Sequence, residues 1–187
     1  MNALVTTLRT QQILWAALTF SPMVYVMVGL MAAPSQPPPG SPVILYALAA
    51  TSVAVAALSF VFPAGMFAKS LKQRVGTDIR IAQVASQSPF LPEEGFRSAS
   101  PSAGEVQNPA ETLLLAARLD QGALILSLAL RESIALYGLV LALMGFPLSY
   151  AAAFFVVSVA LMALRFPSLE GLRRRVEKIV GARVPSR

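Results

Sequence analysis

Two long stretches of this sequence carry no charged side chain. The first runs from Thr10 to Ala68, which is 59 residues, and the second runs from Ser133 to Leu164, which is 32 residues. A helix needs about 20 apolar residues to cross the hydrocarbon core of a bilayer, whereas a soluble core has no need of such runs. Only 13% of the chain is charged, against roughly 25% in an average soluble domain. The sequence therefore predicts an integral membrane protein.

Four segments are long and apolar enough to be membrane helices, and none alternates as a barrel strand would. The predicted spans are Ile13–Ala33, Pro42–Phe62, Ala123–Gly145 and Leu148–Phe166. Residues 34–41 and the pair Phe146-Pro147 interrupt helices and predict turns between the spans. We expect the first span to be retained, because its apolar region is longer than the roughly 7–15 residues of a signal peptide. The predicted fold class is all-α.

The basic residues predict the orientation of these spans. Arg9, the connection 63–122 and the region from Arg165 through the tail 167–187 hold 14 of the 15 lysines and arginines. Cytoplasmic loops carry such an excess, so both termini and the connection are expected in the cytoplasm of a bacterial inner-membrane protein. Topology accounts for the net charge of +6, and no nucleic-acid partner is expected. Within the connection, residues 86–108 are rich in Pro, Ser and Gly and are expected to be mobile.

The two predicted hairpins resemble each other. Several polar and proline positions of the first hairpin recur in the second at matching places: Ser21 and Tyr25 as Ser133 and Tyr137, and Phe62-Pro63 as Phe166-Pro167. The repeat predicts two hairpins in the same orientation, packed as a four-helix bundle in which both even-numbered spans end at Phe-Pro. The alanine-rich second and fourth spans are predicted to form the inner packing surfaces, because small residues let membrane helices approach closely.

The segments next to the third and fourth spans also predict helices. Asn108-Pro109 marks a helix start, and the helix is expected to run without interruption to Gly145. In the tail, an apolar face opposes a basic face that is predicted to contact anionic lipid headgroups. The basic residues concerned are Arg173, Arg174, Arg175 and Lys178. The alternative is that they serve only as an ordinary positive anchor on the cytoplasmic side.

Arg131 and Glu132 are the charged residues inside the predicted spans. A charge at that depth costs at least about 2.5–3.5 kcal/mol, so both are expected to face the protein interior and to find partners. Polar residues at similar depth predict a central cluster, comprising Ser21, Tyr25, Thr51, Ser52, Ser133, Tyr137 and Ser158. Three roles stay open: a locking pair that fixes helix register, a titratable ion site, and a contact with a partner protein.

The segment Glu132–Leu143, Glu-Ser-Ile-Ala-Leu-Tyr-Gly-Leu-Val-Leu-Ala-Leu, resembles the carboxylate helix of the proteolipid c subunit of rotary ATP synthases. The resemblance covers only these residues. It implies that Glu132 binds a proton or sodium ion with Tyr137 nearby, and that the second span corresponds to the inner helix.

Two functional hypotheses follow from these features. The first is a non-enzymatic subunit that packs against a membrane-protein partner or against copies of itself. The second is an ion-coupled membrane protein that uses Glu132. Catalysis is the least favoured hypothesis, because the chain contains no Cys or His and shows no nucleophile–base set or phosphate loop. Neither a cofactor nor a metal is expected.

Overall fold

The computed structural model describes residues 2–32, 41–82 and 104–185. Within these ranges the chain forms five helices and one two-stranded antiparallel sheet. The elements are α1 (Asn2–Ala32), α2 (Pro42–Arg74), β1 (Ile81–Ala82), β2 (Glu105–Val106), α3 (Pro109–Leu143), α4 (Leu148–Ala163) and α5 (Leu169–Val180). Helices α1, α2 and α3 are each long and apolar enough to cross a membrane, whereas α4 is a shorter apolar helix of 16 residues. The helical character and the membrane character predicted from the sequence are thus confirmed.

Helix α3 is the centre of the structure. It packs against α1, α2 and α4, and α1 also packs against α4. It begins at Pro109 and runs unbroken for 35 residues, as predicted. Gln11 of α1 bonds to Ala117 of α3 and Tyr25 bonds to Glu132 further along, so α1 and α3 run in parallel. Helix α2 runs the other way, because Ser59 bonds to Ser127 while Leu71 shares a core with Leu113 near the start of α3. Helix α4 also runs the other way, because it meets Gly138 through Ala151 and Arg131 through Leu161.

The prediction that the alanine-rich second and fourth spans form the inner surfaces is wrong. Most of their alanines are exposed, and the helix with the most buried positions is α3. The close approach of α3 and α4 instead depends on Gly138 of α3, because a Cβ atom at this position would lie 2.9 Å from the carbonyl oxygen of Ala151. Ala135 and Ala142 of α3 share that contact face. One small residue on the central helix therefore sets the spacing between α3 and α4.

The two hairpins differ in structure despite their similar sequences. Helices α1 and α2 pack against α3 rather than against each other, whereas α3 and α4 form a close hairpin. Helix α2 does not end at Phe62-Pro63 as the repeat suggests. It continues through Pro63 to Arg74, in line with the prediction that residues 69–84 prolong the helix of the second span. At the matching place α4 ends at Ala163, before Pro167. Proline disfavours helical geometry in the residue before it. Helix α2 nevertheless continues past Pro63, and its last turns bury Phe67 and Leu71 in a core.

The ends of α1, α2 and α3 that carry the basic residues form a hydrophobic core, which we call the basic-end core. Buried side chains of these helices meet α5 and the sheet there. The central members are Phe67, Leu71, Leu113, Ala116, Leu172 and Val176, with Val106, Ala182 and Val184 from the sheet and the C-terminal segment. Both ends of the described chain lie at this end, since Leu4 and Leu8 pack against the same core.

Two sequence predictions change in this region. Residues 86–103 of the segment expected to be mobile lie outside the described residues, whereas residues 105–106 form β2, which pairs with β1. The tail is not a free basic segment. Ser168 caps the start of α5, and Gly181 ends the helix in the left-handed conformation. The backbone of Arg183 then forms a β-bridge with the backbone of Glu105. The apolar face of α5 is buried against the protein rather than turned to lipid, because the helix ends of α2 and α3 present it with a matching apolar surface.

Candidate functional site

Arg131 is a buried cation whose hydrogen bonds all go to neutral groups. Its side chain is 1% exposed. Its Nε donates to the hydroxyl of Ser59 over 3.2 Å, and its Nη1 donates to the carbonyl oxygen of Leu161 over 2.6 Å. The guanidinium also lies 4.6 Å from the centre of the Phe60 ring. The Arg131 carbonyl oxygen in turn accepts from Ser158 over 2.7 Å. This residue therefore links α3 to both α2 and α4.

The carbonyl of Leu161 is available because α4 ends two residues later, at Ala163. The last carbonyls of a helix have no partner within it, and they carry the negative end of the helix dipole. The amide of Arg165, which would reach Leu161 in a continuing helix, instead donates to Met162. Trp15 of α1 also donates to the Met162 carbonyl, over 2.9 Å. Side chains from two neighbouring helices thus cap the C-terminus of α4.

A proline supplies the contact between α2 and α3. Pro63 has no N–H, so the carbonyl of Ser59, four residues earlier, lacks its helical donor. The hydroxyl of Ser127 on α3 donates to that carbonyl over 3.2 Å. The hydroxyl of Ser59 itself accepts from Nε of Arg131. Ser59 and Ser127 were missed by sequence reasoning, although a proline inside an apolar run is a signal that a carbonyl four residues earlier needs a donor.

Glu132 faces a different helix from its neighbour Arg131. Its Oε1 accepts from the hydroxyl of Tyr25 on α1 over 2.6 Å, and the carboxyl group is half-buried. Successive side chains on a helix point about 100° apart, which separates the two charges. No ion pair between them occurs among the described residues. The two residues therefore hold α3 to three helices and are not bonded to each other.

The predicted polar cluster divides into groups. Arg131 and Ser158 are brought together, and Glu132 and Tyr25 form a second pair. Of the remaining predicted members, Ser21 lies beside Tyr25 on the same helix and interacts with its hydroxyl, whereas Thr51, Ser52, Ser133 and Tyr137 join neither pair. Ser21, Thr51, Ser52 and Ser133 donate to carbonyls of their own helices, and Tyr137 is half-buried without a hydrogen bond to a described residue. Thr51 is exposed on α2.

A second charged group lies at the basic end and was not identified from the sequence. Asp120 on α3 is 2% exposed and accepts from both Arg165 and Arg175. The two η nitrogens of Arg175 bond to the two carboxylate oxygens over 2.8 and 2.9 Å. This triad joins α3, the segment after α4, and α5.

The four basic residues of α5 that are predicted to meet lipid headgroups differ in their partners within the protein. Arg175 is held by Asp120, Arg173 pairs with Glu177, and Arg174 pairs with Glu170. Lys178 is exposed in the last turn of α5, where a cation is favoured by the helix dipole. Three of these four cations are thus already paired within the protein.

In the part of the chain that the structure describes, no three acidic side chains come together in a way that would hold a metal ion. No protein-family model matches the chain, and neither a curated protein nor a solved structure matches it. The resemblance of Glu132–Leu143 to the proteolipid c subunit therefore stays a prediction from the sequence.

Proposed function

We propose that this protein is a non-enzymatic structural subunit of a membrane assembly, in which Arg131 and Glu132 fix the arrangement of the helices. The observation that carries this proposal is that these two adjacent residues reach all three helices around α3. Arg131 bonds to α2 and α4, and Glu132 bonds to α1. The locking role is thus assigned to two separate contacts rather than to one ion pair.

The depth of these contacts supports a structural role. Arg131 lies 12 residues before Leu143, the last residue of α3, which at 1.5 Å per residue is about 18 Å. It therefore falls near the middle of a hydrocarbon core about 30 Å thick, where water is absent and an unpaired polar group is costly. Each contact there favours one register of α3 against its neighbours, because sliding by one residue would leave Arg131 without acceptors.

Within this proposal the chain crosses a bacterial inner membrane four times, with both termini and the basic end in the cytoplasm. The 16 residues of α4 extend for about 24 Å, and the residues that follow up to Pro167 cover the remaining thickness. The common position of both chain ends and the concentration of lysine and arginine at that end support this orientation. The partner is a second membrane protein or further copies of the chain.

The test of the structural proposal compares Arg131→Leu with Arg118→Leu in detergent. Arg118 is exposed on the same helix. We expect Arg131→Leu to lose co-purifying partners or the native oligomer and Arg118→Leu to retain them. Full assembly of Arg131→Leu would refute the proposal.

A second function is favoured by the separation of the two charges. Because Arg131 is turned to α2 and α4, the Glu132 carboxyl group has Tyr25 as its donor and no cationic partner among the described residues. A half-buried carboxyl group inside the membrane is a functional candidate by default. We therefore keep proton or sodium binding at Glu132 as the alternative function.

Flux measurements in liposomes separate the two functions. If Glu132 is an ion site, wild-type protein will conduct protons or sodium, and Glu132→Gln will abolish the flux while leaving assembly intact. If its role is structural, wild-type protein will show no flux, and Glu132→Leu will weaken assembly. Tyr25→Phe serves as a control that removes the hydroxyl donor and leaves the carboxyl group in place.

A further inference from the structure

A buried proline divides α1 into two parts. Pro22 has no N–H, so the carbonyl of Leu18, four residues earlier, lacks its helical donor. The hydroxyl of Ser21 donates to that carbonyl instead, over 2.8 Å. Sharp bends in helices occur mostly at prolines, because a bend there breaks no further main-chain hydrogen bond. We call the residues before Pro22 the inner half of α1 and residues 22–32 the outer half.

The inner half of α1 is held by partners that carry no charge. Gln11 donates to the main-chain carbonyl of Ala117 on α3 over 2.7 Å. Trp15 donates to the main-chain carbonyl of Met162 on α4 over 2.9 Å. Main-chain carbonyls do not titrate, so these bonds keep the inner half in place at any pH at which the protein is folded.

The outer half of α1 is held differently. Among the residues that the structure describes, its side-chain hydrogen bond to another helix is the one from Tyr25 to Glu132, over 2.6 Å. Its close packing on α3 is made by a glycine, since a Cβ atom at Gly29 would lie 3.2 Å from the Cβ atom of Ala142. A hydrogen bond to an ionised group is roughly twice as strong as one between neutral groups. The hold on the outer half therefore depends on the charge of Glu132.

An apolar cleft of about 370 Å³ lies between the outer half of α1 and α4. It begins at the hinge residue, and its walls include Pro22, Met23 and Val26 of α1 and Phe155, Val159 and Ala160 of α4. The cleft leaves the outer half room to turn towards α4. Closing it would bring apolar side chains of the two helices into dispersion contact, which favours association of membrane helices.

The titratable groups around Glu132 are few. Tyr25 faces it from α1, and of the four tyrosines it is the one that bonds to Glu132 within the described residues. From residue 42 to residue 68, α2 carries no charged side chain. Arg131 is turned to α2 and α4, and Arg165 after α4 pairs with Asp120. Helix α5 lies at the basic end. A change of charge at this depth is therefore a change at Glu132.

We infer that the bond between Tyr25 and Glu132 is a proton-controlled latch on the outer half of α1. While Glu132 is ionised, its carboxylate accepts the phenol hydrogen and the outer half lies against α3. When the carboxylate takes up a proton from the aqueous phase, the charge-assisted bond is lost, and the outer half turns about Pro22 to close the cleft against α4. The latch rests on the proposed function, in which Glu132 holds α1 to α3, and adds that this hold depends on pH.

The test measures distances between pairs of spin labels in the full chain, reconstituted in lipid nanodiscs. The protein contains no native cysteine, so a label enters only where a cysteine is introduced. The reporting pair, M31C/Y150C, joins exposed positions near the outer end of α1 and the start of α4. The reference pair, I13C/L164C, joins exposed positions on the inner half of α1 and just beyond α4.

The reporting distance should shorten by about 5 Å as the pH falls from about 9 to about 4, a range that spans the titration of carboxyl groups in proteins. This is the shift produced by a bend of about 20° over the nine residues from Pro22 to Met31, which extend for about 13 Å. The reference distance should stay constant. In Glu132→Gln the reporting distance should be short at every pH, because the charge is absent.

The interior prolines of α1 and α2 supply a matched control for the hinge. Pro22→Ala restores an N–H that can bond to the Leu18 carbonyl, and it should reduce the pH-dependent shift to less than half. Pro63→Ala makes the same change in α2 and should leave the shift unaltered. Ala160→Phe fills the cleft without changing charge and should also suppress the shortening.

Each contrary result would overturn the latch. A reporting distance that does not change with pH would show that the outer half is fixed. A shift that persists in Glu132→Gln would assign it to another group, and equal shifts in both label pairs would indicate general loosening. If Glu132→Gln does not fold, Tyr25→Phe replaces it, because it removes the same bond and should give the short distance at every pH.

A failed latch is distinguishable from a failed structural role. A constant reporting distance together with loss of assembly in Arg131→Leu would remove the latch and leave the structural role in place. Full assembly of Arg131→Leu would refute the structural role, whatever the distances between the labels.

Discussion

The guanidinium of Arg131 donates a 2.6 Å hydrogen bond to the main-chain carbonyl of Leu161, so a side chain of α3 caps the C-terminus of α4. A short helix that ends inside a membrane would otherwise expose its last carbonyls to hydrocarbon. The positive charge also faces the negative end of the α4 dipole. This relationship explains how an arginine without a carboxylate partner among the described residues is accommodated in the interior of an apolar bundle.

Loss of this cap should be the most damaging single change in the apolar region. We expect Arg131→Met to lower the free energy of unfolding by about 2–5 kcal/mol, because it leaves the Leu161 carbonyl and the Ser59 hydroxyl without their donor. Arg131→Lys should be intermediate, since a lysine cannot bond in two directions from a planar group. Thermal or denaturant unfolding in detergent measures the difference. A change below about 0.5 kcal/mol, the size typical of surface sites, would contradict the cap.

The proline in α2 predicts a non-additive pair of mutations. Pro63→Ala restores an N–H that can bond to the Ser59 carbonyl, so the hydroxyl of Ser127 should then matter less. We expect Ser127→Ala to cost about 1 kcal/mol in the wild-type protein and only a few tenths of that in the Pro63→Ala background. A double-mutant cycle of unfolding free energies measures the coupling. Additive effects would show that Ser127 and Pro63 act independently.

Two glycines on α3 offer a matched comparison. A Cβ atom at Gly138 would approach the Ala151 carbonyl to 2.9 Å, whereas one at Gly122 would meet nothing within 4 Å. We expect Gly138→Ala to destabilise the protein by about 1–3 kcal/mol, because α4 must move away. Gly122→Ala should be neutral or stabilising by up to about 1 kcal/mol, because alanine is the better helix former. Equal effects on the melting temperature in detergent would argue against the close contact of α3 and α4.

The buried carboxylate at the basic end should contribute far more to the free energy of unfolding than an exposed carboxylate does. Asp120→Asn removes the charge that lies between Arg165 and Arg175, and we expect a loss of about 3–5 kcal/mol. Glu170→Gln is the control, because its pair with Arg174 is exposed and should contribute less than about 1 kcal/mol. Unfolding of both variants, followed by circular dichroism, measures the contrast. Similar losses of stability in the two variants would mean that burial does not make the Asp120 ion pairs more important than the exposed pair.

Local sequence signals predicted two helical features of the basic end but not its β-sheet. The start of α3 at Pro109 and the amphipathic α5 were predicted because proline position and apolar periodicity are local properties. The surface that α5 covers was not predicted. Its partners Phe67, Leu71 and Leu113 come from distant parts of the chain, and an apolar stripe on a helix fits a protein core as well as it fits a lipid surface.

The sequence by itself determined that this chain forms long apolar helices, that its charges concentrate at one end, and that Arg131 and Glu132 lie deep among apolar residues. Only the tertiary structure decided that α3 is the central helix and that the two charges bond to different helices. The physical reason is that membrane helices are apolar on every side, so hydrophobic periodicity does not reveal which face is buried. Contacts made by single atoms decide it instead, such as the room left by Gly138 and the Ser59 carbonyl freed by Pro63.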